Sequence, residues 1–316
     1  MKRPPIVIAH RGASGYLPEH TLAAKALAHG LGADYLEQDV VATRDSQLVV
    51  LHDLYLDDVT DVALRFPGRQ RSDGRHYVVD FELAELKALT VFERRATGSA
   101  AAKYPARFPR ETGLFGIATL AEELQLIGGL NRSTGRVAGI YPEIKDPNWH
   151  RRHGIDLSSL VLAELRAFGY SRADDAAFVQ CFDATELARL KEELDCRLPL
   201  IQLVGPEPEY AALLTATGLE SVSAYAYGLG PHYSQLVETE EGPRPRRGDL
   251  ARRAHDTGLR VHAYTFRRDD LPAYSRTLED LLELFFVDVG VDGVFSDHPD
   301  VAARVRAATL EVQRRE

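Results

Sequence analysis

The chain has 316 residues, of which 45% are hydrophobic and 27% are charged, a composition typical of a folded globular protein. Its formal net charge of −9 is unfavourable for non-specific attraction to nucleic acid or anionic lipid, so no nucleic-acid partner is predicted. No segment approaches the roughly 18 consecutive apolar residues of a membrane span, so no stable membrane insertion is predicted. The two cysteines, Cys181 and Cys196, do not have the spacing of metal ligands and are too few for a disulfide framework. They are therefore predicted to be buried free thiols rather than a disulfide bridge.

Apolar runs alternate with helical segments along most of the chain. The first run, residues 6–9, is short and β-branched, as expected of a buried strand, and Thr21 is the predicted N-cap of a helix that ends near Gly30. Eight strands that alternate with helices suit a (β/α)8 TIM barrel. A doubly wound open sheet is the alternative, but the chain has no glycine-rich dinucleotide fingerprint. The predicted strands lie near residues 6–9, 34–40, 139–144, 177–181, 198–203, 221–225, 259–264 and 291–295.

A long irregular stretch interrupts this alternation after the second strand. The apolar run 48–51 follows that strand after only a few polar residues, which predicts a hairpin. From about residue 54 to 115 the sequence is polar and rich in turns, with one convincing helix near residues 81–89. Such a stretch is uncommon inside a compact domain. It is therefore predicted to be an insertion subdomain of a single barrel domain that spans residues 1–316.

Three carboxylates lie at the ends of predicted strands. Glu37 and Asp39 are two residues apart on a strand, where side-chain direction alternates, so both point to one face. Glu143 ends the next βα strand and would approach this pair from the side. Adjacent carboxylates repel one another unless a proton or a cation lies between them. The three acids therefore predict an oxygen site for one divalent ion, either Ca²⁺ or Mg²⁺.

Basic groups lie at the same predicted edge of the barrel. His10 and His52 each end an apolar strand, where they are placed to act as general acid and general base. Arg11 can bind a phosphate through two parallel hydrogen bonds, and Lys145 can add a second positive charge. A divalent metal, two cations and two histidines at one barrel mouth predict phosphodiester cleavage, in which the metal and Arg11 stabilise charge on the phosphoryl oxygens.

Nine segments of the chain resemble sequence motifs of a known protein family. Six of them, which together resemble the glycerophosphodiester phosphodiesterase family, are His10-Arg11-Gly12, Leu17-Pro18-Glu19-His20-Thr21, Glu37-Gln38-Asp39-Val40, Leu51-His52-Asp53, Tyr141-Pro142-Glu143-Ile144-Lys145 and Val294-Phe295-Ser296-Asp297. Three more, which resemble the bacterial periplasmic branch of that family, are Val59-Thr60-Asp61-Val62-Ala63 with Arg65-Phe66-Pro67, Gln180-Cys181-Phe182-Asp183 and Val261-His262-Ala263-Tyr264-Thr265. The resemblance runs in order along nearly the whole chain.

This resemblance implies a (β/α)8 barrel with a small inserted domain. It also implies hydrolysis of deacylated phospholipids, such as glycerophosphocholine or glycerophosphoethanolamine, to glycerol 3-phosphate and a free alcohol, with Ca²⁺ as the usual ion of the branch. The roles implied for single residues are metal ligation by Glu37, Asp39 and Glu143, acid–base catalysis by His10 and His52, and phosphate or substrate binding by Arg11, Lys145 and Tyr264.

The resemblance has further implications for chemistry and location. Tyr264 stands where many relatives have tryptophan, and His20 where many have asparagine, which leaves the head-group side of the pocket open. The substrate's own glycerol hydroxyl is expected to attack phosphorus and give a cyclic phosphate that water then opens. The expected location is periplasmic or secreted if a leader has been removed, and cytoplasmic otherwise.

Two other functions compete with this prediction. A phospholipase- or sphingomyelinase-type enzyme would act on intact lipid and would need apolar docking loops, whereas residues 54–115 are rich in Arg, Asp and Gly. A non-catalytic ligand-binding barrel would have lost a histidine or an acid, and all of them are present. The predicted partner is a small glycerophosphodiester, and a homodimer stays open because nothing in the sequence decides the oligomeric state.

Overall fold

Eight parallel strands form a closed barrel at the centre of the computed structural model, which describes residues 4–110, 113–238 and 245–313. The strands in these ranges are β1 (Ile6–Ala9), β2 (Tyr35–Ala42), β3 (Leu48–Val50), β4 (Gly139–Ile144), β5 (Val179–Cys181), β6 (Leu200–Val204), β7 (Gly228–Pro231), β8 (Val237–Glu238), β9 (Arg246–Arg247), β10 (Arg260–Phe266) and β11 (Gly293–Ser296). All except β3, β8 and β9 belong to the barrel, and pairing of β1 with both β2 and β11 closes it. The fold is a (β/α)8 TIM barrel, which confirms the predicted fold class.

Helices connect the barrel strands and pack against the outside of the barrel. In chain order they are α1 (Leu22–Gly30), α2 (Val62–Arg65), α3 (Leu83–Leu86), α4 (Leu120–Thr134), α5 (Pro147–Arg152), α6 (Leu157–Ala167), α7 (Ala184–Glu192), α8 (Ala216–Tyr225), α9 (Leu250–Asp256), α10 (Leu278–Glu283) and α11 (Pro299–Gln313), with a π-helical turn at Leu284–Val289. Thr21 caps α1 as predicted, since its side chain accepts a hydrogen bond from the amide of Ala24. Thr119 and Glu122 form a reciprocal capping box at the start of α4.

An apolar layer fills the interior of the barrel. It consists of Ile8, Tyr141, Phe178, Ile201 and Phe295, all of which are less than a tenth exposed. Side chains two residues apart on a strand share a face, and all of these residues except Ile201 lie two positions before a polar residue at or near a strand end. The interior is therefore apolar in its lower layer and polar at the mouth, so packed side chains support the polar groups from below.

The seventh barrel strand differs from the prediction. Residues 221–225 belong to α8, not to a strand, because Thr215 caps a helix that begins at the next residue. The strand is β7, and its glycines conceal it, since glycine and proline are rare in strands. Added side chains at Gly228 and Gly230 would meet atoms of the neighbouring strands at 2.8 Å and 2.6 Å, so glycine is needed for the strands to approach. The predicted helix near residues 209–215 is a 3₁₀ segment, Pro208–Leu214.

The irregular stretch between β3 and α4 has an apolar cluster of its own. Val59, Val62, Val78, Phe81 and Leu86 are buried there and pack together with residues of the β2–β3 hairpin. The hairpin is antiparallel, as predicted. The helix predicted near residues 81–89 is shorter and corresponds to α3. The assignment of residues 54–115 as a separate insertion subdomain stays a prediction.

Two further properties bear on the sequence analysis. Cys181 and Cys196 are both buried, and their sulfurs are not bonded to each other. Within the described ranges, none of the helices combines the length and the apolar character needed to cross a membrane.

Candidate active site

All eight residues predicted to form the site line one recess of about 120 Å³ at the mouth of the barrel. The carboxyl ends of parallel strands meet at the same end of a barrel, which is why seven of these residues converge there although they are distant in sequence. His52 arrives differently, because antiparallel β3 turns back along β2 and carries it to the mouth. His10 and Arg11 follow β1, Glu37 and Asp39 lie in β2, His52 follows β3, Glu143 and Lys145 lie at the end of β4, and Tyr264 lies in β10.

The three acids form a compact group on two paired strands. Asp39 lies opposite Glu143 in the register of β2 and β4, and Glu37 is two residues before Asp39 on the same face. One carboxylate oxygen from each lies within 4.8 Å of the others. Glu37 is held in place by the backbone amide of Arg11 at 2.8 Å and by the side-chain amide of Gln180 at 2.9 Å.

The pKa values of the three carboxyl groups differ, because burial acts to raise all three while the neighbouring charges differ. Burial, with repulsion from Asp39 and Glu143, raises the pKa of Glu37 well above its usual value. Burial also raises the pKa of Glu143 to about 8, against the opposing attraction of Lys145. Burial acts the same way on Asp39, but attraction to Lys145 and His20 is stronger and holds the pKa of Asp39 well below its usual value. Without a cation between them, the three carboxylates therefore cannot all ionise readily.

One carboxylate oxygen of this group has no hydrogen-bond partner in the described residues. Oδ2 of Asp39 contacts Nε2 of His20 at 2.7 Å, whereas the buried Oδ1 is unpaired within those ranges. A buried carboxylate oxygen without a donor is costly unless a cation binds it. Three converging carboxylates are also a donor set suited to Ca²⁺ or Mg²⁺. The residues present thus fit a divalent ion.

Arg11 owes its position to a tight turn after β1. Its backbone is left-handed, with φ of 57°, and the next residue, Gly12, has φ of 88°. A side chain at Gly12 would meet the backbone of Ala24 at 2.9 Å, so the turn needs glycine in order to pack against α1. The turn directs the Arg11 guanidinium towards the acids, where Nε lies 3.5 Å from Oδ2 of Asp39. Lys145 approaches from the other strand, with Nζ 2.7 Å from Oε1 of Glu143.

Each histidine of the recess contacts an aspartate through Nδ1. Nδ1 of His10 lies 2.5 Å from Oδ1 of Asp297, and Nδ1 of His52 lies 2.7 Å from Oδ1 of Asp53. Burial lowers the pKa of His10 to about 4, and partial burial with the charges of Arg11 and Lys145 lowers the pKa of His52 to about 3. Both imidazoles are therefore neutral, and a carboxylate on Nδ1 leaves Nε2 free to face the recess.

Comparison with known proteins agrees with this geometry. The model of the glycerophosphoryl diester phosphodiesterase family matches residues 10–301. The chain belongs to this family. A glycerophosphodiester phosphodiesterase of Haemophilus influenzae is 41% identical over 95% of this chain and 89% of that protein. One of Treponema pallidum is 38% identical over 95% of this chain and 91% of that protein.

Solved structures share the fold of this family member. A Silicibacter pomeroyi protein assigned as a glycerophosphoryl diester phosphodiesterase superposes with a TM-score of 0.74 at 25% identity, over 97% of this chain and 95% of its own. An Oleispira antarctica phosphodiesterase, solved in complex with the product sn-glycerol-3-phosphate, gives a TM-score of 0.66 at 24% identity, over 96% of each chain. The barrel is thus the architecture of solved proteins named for this family.

The structure adds residues that neither spacing nor the family motifs assigned. Asp297 follows the last barrel strand as His10 follows the first, so the strand-end argument used for the other acids could have found it. Glu19 lies inside a quoted motif and contacts Nη1 of Arg11 at 3.0 Å. Arg94 and Arg107 come from the irregular stretch, where no periodicity or strand end marks them.

Proposed function

We propose that this chain hydrolyses glycerophosphodiesters, such as glycerophosphocholine, to glycerol 3-phosphate and a free alcohol. The observation that carries the proposal is the convergence of three carboxylates, two cations and two histidines on one recess. Cleavage of a phosphodiester requires that charge on its oxygens be stabilised and that protons be moved at the attacking and leaving oxygens. The names of the relatives at 41% and 38% identity support the same substrate class.

A divalent ion belongs to this proposal. Glu37, Asp39 and Glu143 would hold it, since their oxygens converge and Oδ1 of Asp39 is unpaired among the described residues. When bound, such an ion would stabilise negative charge on the phosphoryl oxygens. Ca²⁺ is preferred over Mg²⁺ because it is usual in the periplasmic branch that the sequence resembles.

Side chains of the protein would bind the phosphate and transfer the protons. Arg11 and Lys145 flank the acidic group and would bind the non-bridging phosphate oxygens. One of His10 and His52 would take the proton of the attacking hydroxyl on its free Nε2, and the other, after it has taken up a proton at Nε2 from solvent, would give that proton to the leaving alkoxide oxygen. Tyr264 lines the same recess, and its hydroxyl donates to a backbone carbonyl of β6, which leaves the ring as a wall for the substrate.

The attacking group in this proposal is the free glycerol hydroxyl next to the phosphate ester. Its oxygen would form a bond to phosphorus as the bond to the alcohol oxygen breaks, which gives a cyclic phosphate that water then opens. An analogue without that hydroxyl should therefore react poorly, and rapid cleavage of this analogue would contradict the step. A periplasmic or secreted location rests on the resemblance alone, and a homodimer remains a prediction.

The test measures release of glycerol 3-phosphate from glycerophosphocholine, with and without EDTA and after Ca²⁺ or Mg²⁺ is restored. We expect EDTA to abolish the activity and one ion to restore it. Asp39→Asn should lose both activity and ion binding, whereas Asp174→Asn, a control at an acid that is 77% exposed, should keep both. Cleavage of lysophosphatidylcholine without activity on any glycerophosphodiester would instead indicate an intact-lipid enzyme. Binding without any cleavage would indicate a ligand-binding barrel.

A further inference from the structure

Two arginines of the irregular stretch between β3 and α4 reach into the mouth of the barrel. The side chains of Arg94 and Arg107 are only 13% and 6% exposed, although arginine is seldom buried unless it is paired. Both line a second recess, which shares His10, Arg11, His52 and Arg267 with the first. Their hydrogen bonds lead to carboxylates that in turn contact these four shared residues.

Arg107 connects the irregular stretch to His10. Its Nη2 donates to Oδ2 of Asp297 at 2.7 Å, its Nε and Nη2 donate to the two carboxylate oxygens of Asp269 at 2.7 Å, and its Nη1 donates to the Ser14 carbonyl at 3.1 Å. The other oxygen of Asp297 contacts His10. Because Arg107 at 2.7 Å, with Arg267 at 3.0 Å, binds the oxygen that His10 leaves free, the carboxylate cannot rotate without breaking one of these contacts. The orientation of the His10 ring is thereby fixed.

Arg94 has the same relation to two other groups of the site. Its Nη1 donates to Oδ2 of Asp53 at 2.6 Å, while Oδ1 of Asp53 contacts His52. Its Nε and Nη2 donate to the two oxygens of Glu19 at 2.9 Å and 2.6 Å. Oε1 of Glu19 also accepts from Arg11. One guanidinium thus restrains both a histidine and the arginine expected to bind phosphate.

We propose that Arg94 and Arg107 are positioning residues, of which Arg94 orients His52 and Arg11 and Arg107 orients His10, each through an intervening carboxylate. This proposal rests on the proposed function and assigns part of its geometry to the irregular stretch. A guanidinium suits the task because it is planar, permanently charged and able to donate to two acceptors in fixed directions. Neither arginine needs to touch the substrate in order to act.

The charge state of the intervening acids is consistent with this role. Burial opposes ionisation of Asp297, but Arg267, His10 and Arg107 hold its pKa well below the usual value. Asp53 is partly buried as well, and its contacts with His52 and Arg94 lower its pKa. An ionised carboxylate keeps the proton of a neighbouring imidazole on Nδ1 and leaves the Nε2 lone pair towards the recess.

Arg69 serves as a control that separates orientation of an active-site histidine from stabilisation of the irregular stretch between β3 and α4. Arg69 belongs to the same stretch, is 32% exposed, forms an ion pair with Glu85 and lies over the Phe81 ring at 4.0 Å. These contacts lie outside both recesses. Arg69→Ala should therefore weaken packing of the stretch without reorienting a histidine.

The experiment compares Arg94→Ala, Arg107→Ala and Arg69→Ala with the wild type on glycerophosphocholine. We expect the first two to lower kcat on the order of 10- to 100-fold, as loss of a residue that orients an active-site group does, with a smaller change in KM. Added guanidinium should restore part of the loss. Arg94→Lys and Arg107→Lys keep the positive charge but lose the planar guanidinium that donates to two acceptors. They serve as second variants in case the alanine variants do not fold, and their kcat should also be lower than that of the wild type. Arg69→Ala should lower the melting temperature and keep kcat.

A second measurement does not depend on activity. NMR of isotopically labelled histidine reads the tautomer of each ring, and we expect the His10 signals to change in Arg107→Ala and the His52 signals in Arg94→Ala. The proposal would be overturned if kcat of both alanine variants matched that of Arg69→Ala, or if both histidines kept their wild-type signals. An inactive wild type would defeat the proposed function, whereas the NMR signals would still test the positioning.

Discussion

The two histidines of the site have the same kinds of partner, but the two sides of the mouth support them differently. On the barrel side, Asp297 is 2% exposed and accepts hydrogen bonds from both Arg107 and Arg267. On the hairpin side, His52 is 34% exposed, and Asp53 accepts from Arg94. The barrel side therefore has two cations on one carboxylate, so either arginine can compensate its charge, although Arg107 is the one that connects Asp297 to the irregular stretch.

This difference shows how one site can combine rigidity with dependence on a loop. The barrel side is part of the folded core, so a change there should affect stability and activity together. The hairpin side depends on the irregular stretch, and its groups are closer to solvent, so a change there should affect activity more than stability. Asp297→Asn, Asp53→Asn and a double-mutant cycle on Arg107 and Arg267 test this contrast.

The largest effect is expected for Asp297→Asn on the barrel side. Loss of the charge removes the buried carboxylate that Arg107 and Arg267 share and lets the wrong His10 tautomer form. We expect kcat to fall on the order of 10²- to 10⁴-fold, as when the aspartate of a catalytic triad becomes asparagine. The free energy of unfolding should fall by about 3 kcal/mol, the cost of breaking a buried ion pair. Steady-state kinetics and urea denaturation measure the two effects.

The same strand provides a control for this substitution. Asp292 precedes β11, as Asp297 follows it, and it contacts His255 at 2.8 Å and Arg260 at 2.9 Å at the other end of the barrel. Asp292→Asn should also lower stability, but kcat should stay at the wild-type value. Equal kcat losses in the two variants would show that the Asp297 effect is not specific to the site.

Asp53→Asn should give the next largest effect, and mainly on activity. An amide in place of the carboxylate no longer keeps the proton of His52 on Nδ1, so we expect kcat to fall by about 10- to 100-fold. Because His52 is 34% exposed, the loss of stability should be smaller than for Asp297→Asn. Asp57→Asn is the control, since Asp57 contacts Nδ1 of His76 at 2.8 Å outside both recesses. A stability loss as large as that of Asp297→Asn would remove the contrast between the two sides.

The sequence contains enough information for the barrel and for the groups at its strand ends. Glu37, Asp39 and Glu143 could be found because a strand of known direction fixes which side chains share a face and which end they reach. The seventh strand could not be found this way. Gly228 and Gly230 are determined by the closeness of the neighbouring strands, and that distance is a property of the closed barrel.

Arg94 and Arg107 could not be predicted from the sequence for a different reason. Arg94 contacts Glu19, and Arg107 contacts Asp297, which are 75 and 190 residues away in the chain. No local period or turn specifies such contacts, because an irregular segment has no repeating direction from which side-chain positions follow. Sequence patterns thus predict the groups that regular elements carry and miss those that a loop brings to them.

A smaller effect concerns how stability depends on pH. Burial raises the pKa of Glu93, beside Arg94, from 4.5 to about 8. Between these values the unfolded chain loses this proton while the folded chain keeps it, so the free energy of unfolding falls as pH rises. Glu93→Gln removes this dependence. Relative to wild type, the variant should gain about 3 kcal/mol between about pH 5 and about pH 8, because each tenfold change in proton affinity contributes roughly 1.4 kcal/mol.

Urea denaturation of both proteins across this range measures the difference. Glu209→Gln, at an exposed glutamate, is the control and should leave the pH dependence unchanged. Parallel curves for wild type and Glu93→Gln would show that Glu93 does not keep its proton in the folded chain.

The smallest expected effect is an energetic coupling between Arg107 and Arg267 in the free energy of unfolding, and it tests the barrel side directly. Arg107 and Arg267 both donate to Oδ2 of Asp297, so each single alanine variant leaves the other cation in place. The double variant leaves a buried carboxylate without either arginine, and its loss of stability should exceed the sum of the single losses by about 1 kcal/mol. Arg94 and Arg267 bind different carboxylates, so the same cycle on that pair should be additive within about 0.5 kcal/mol. If the first cycle is also additive, the two arginines do not replace each other, and the barrel side depends on its loop as much as the hairpin side does.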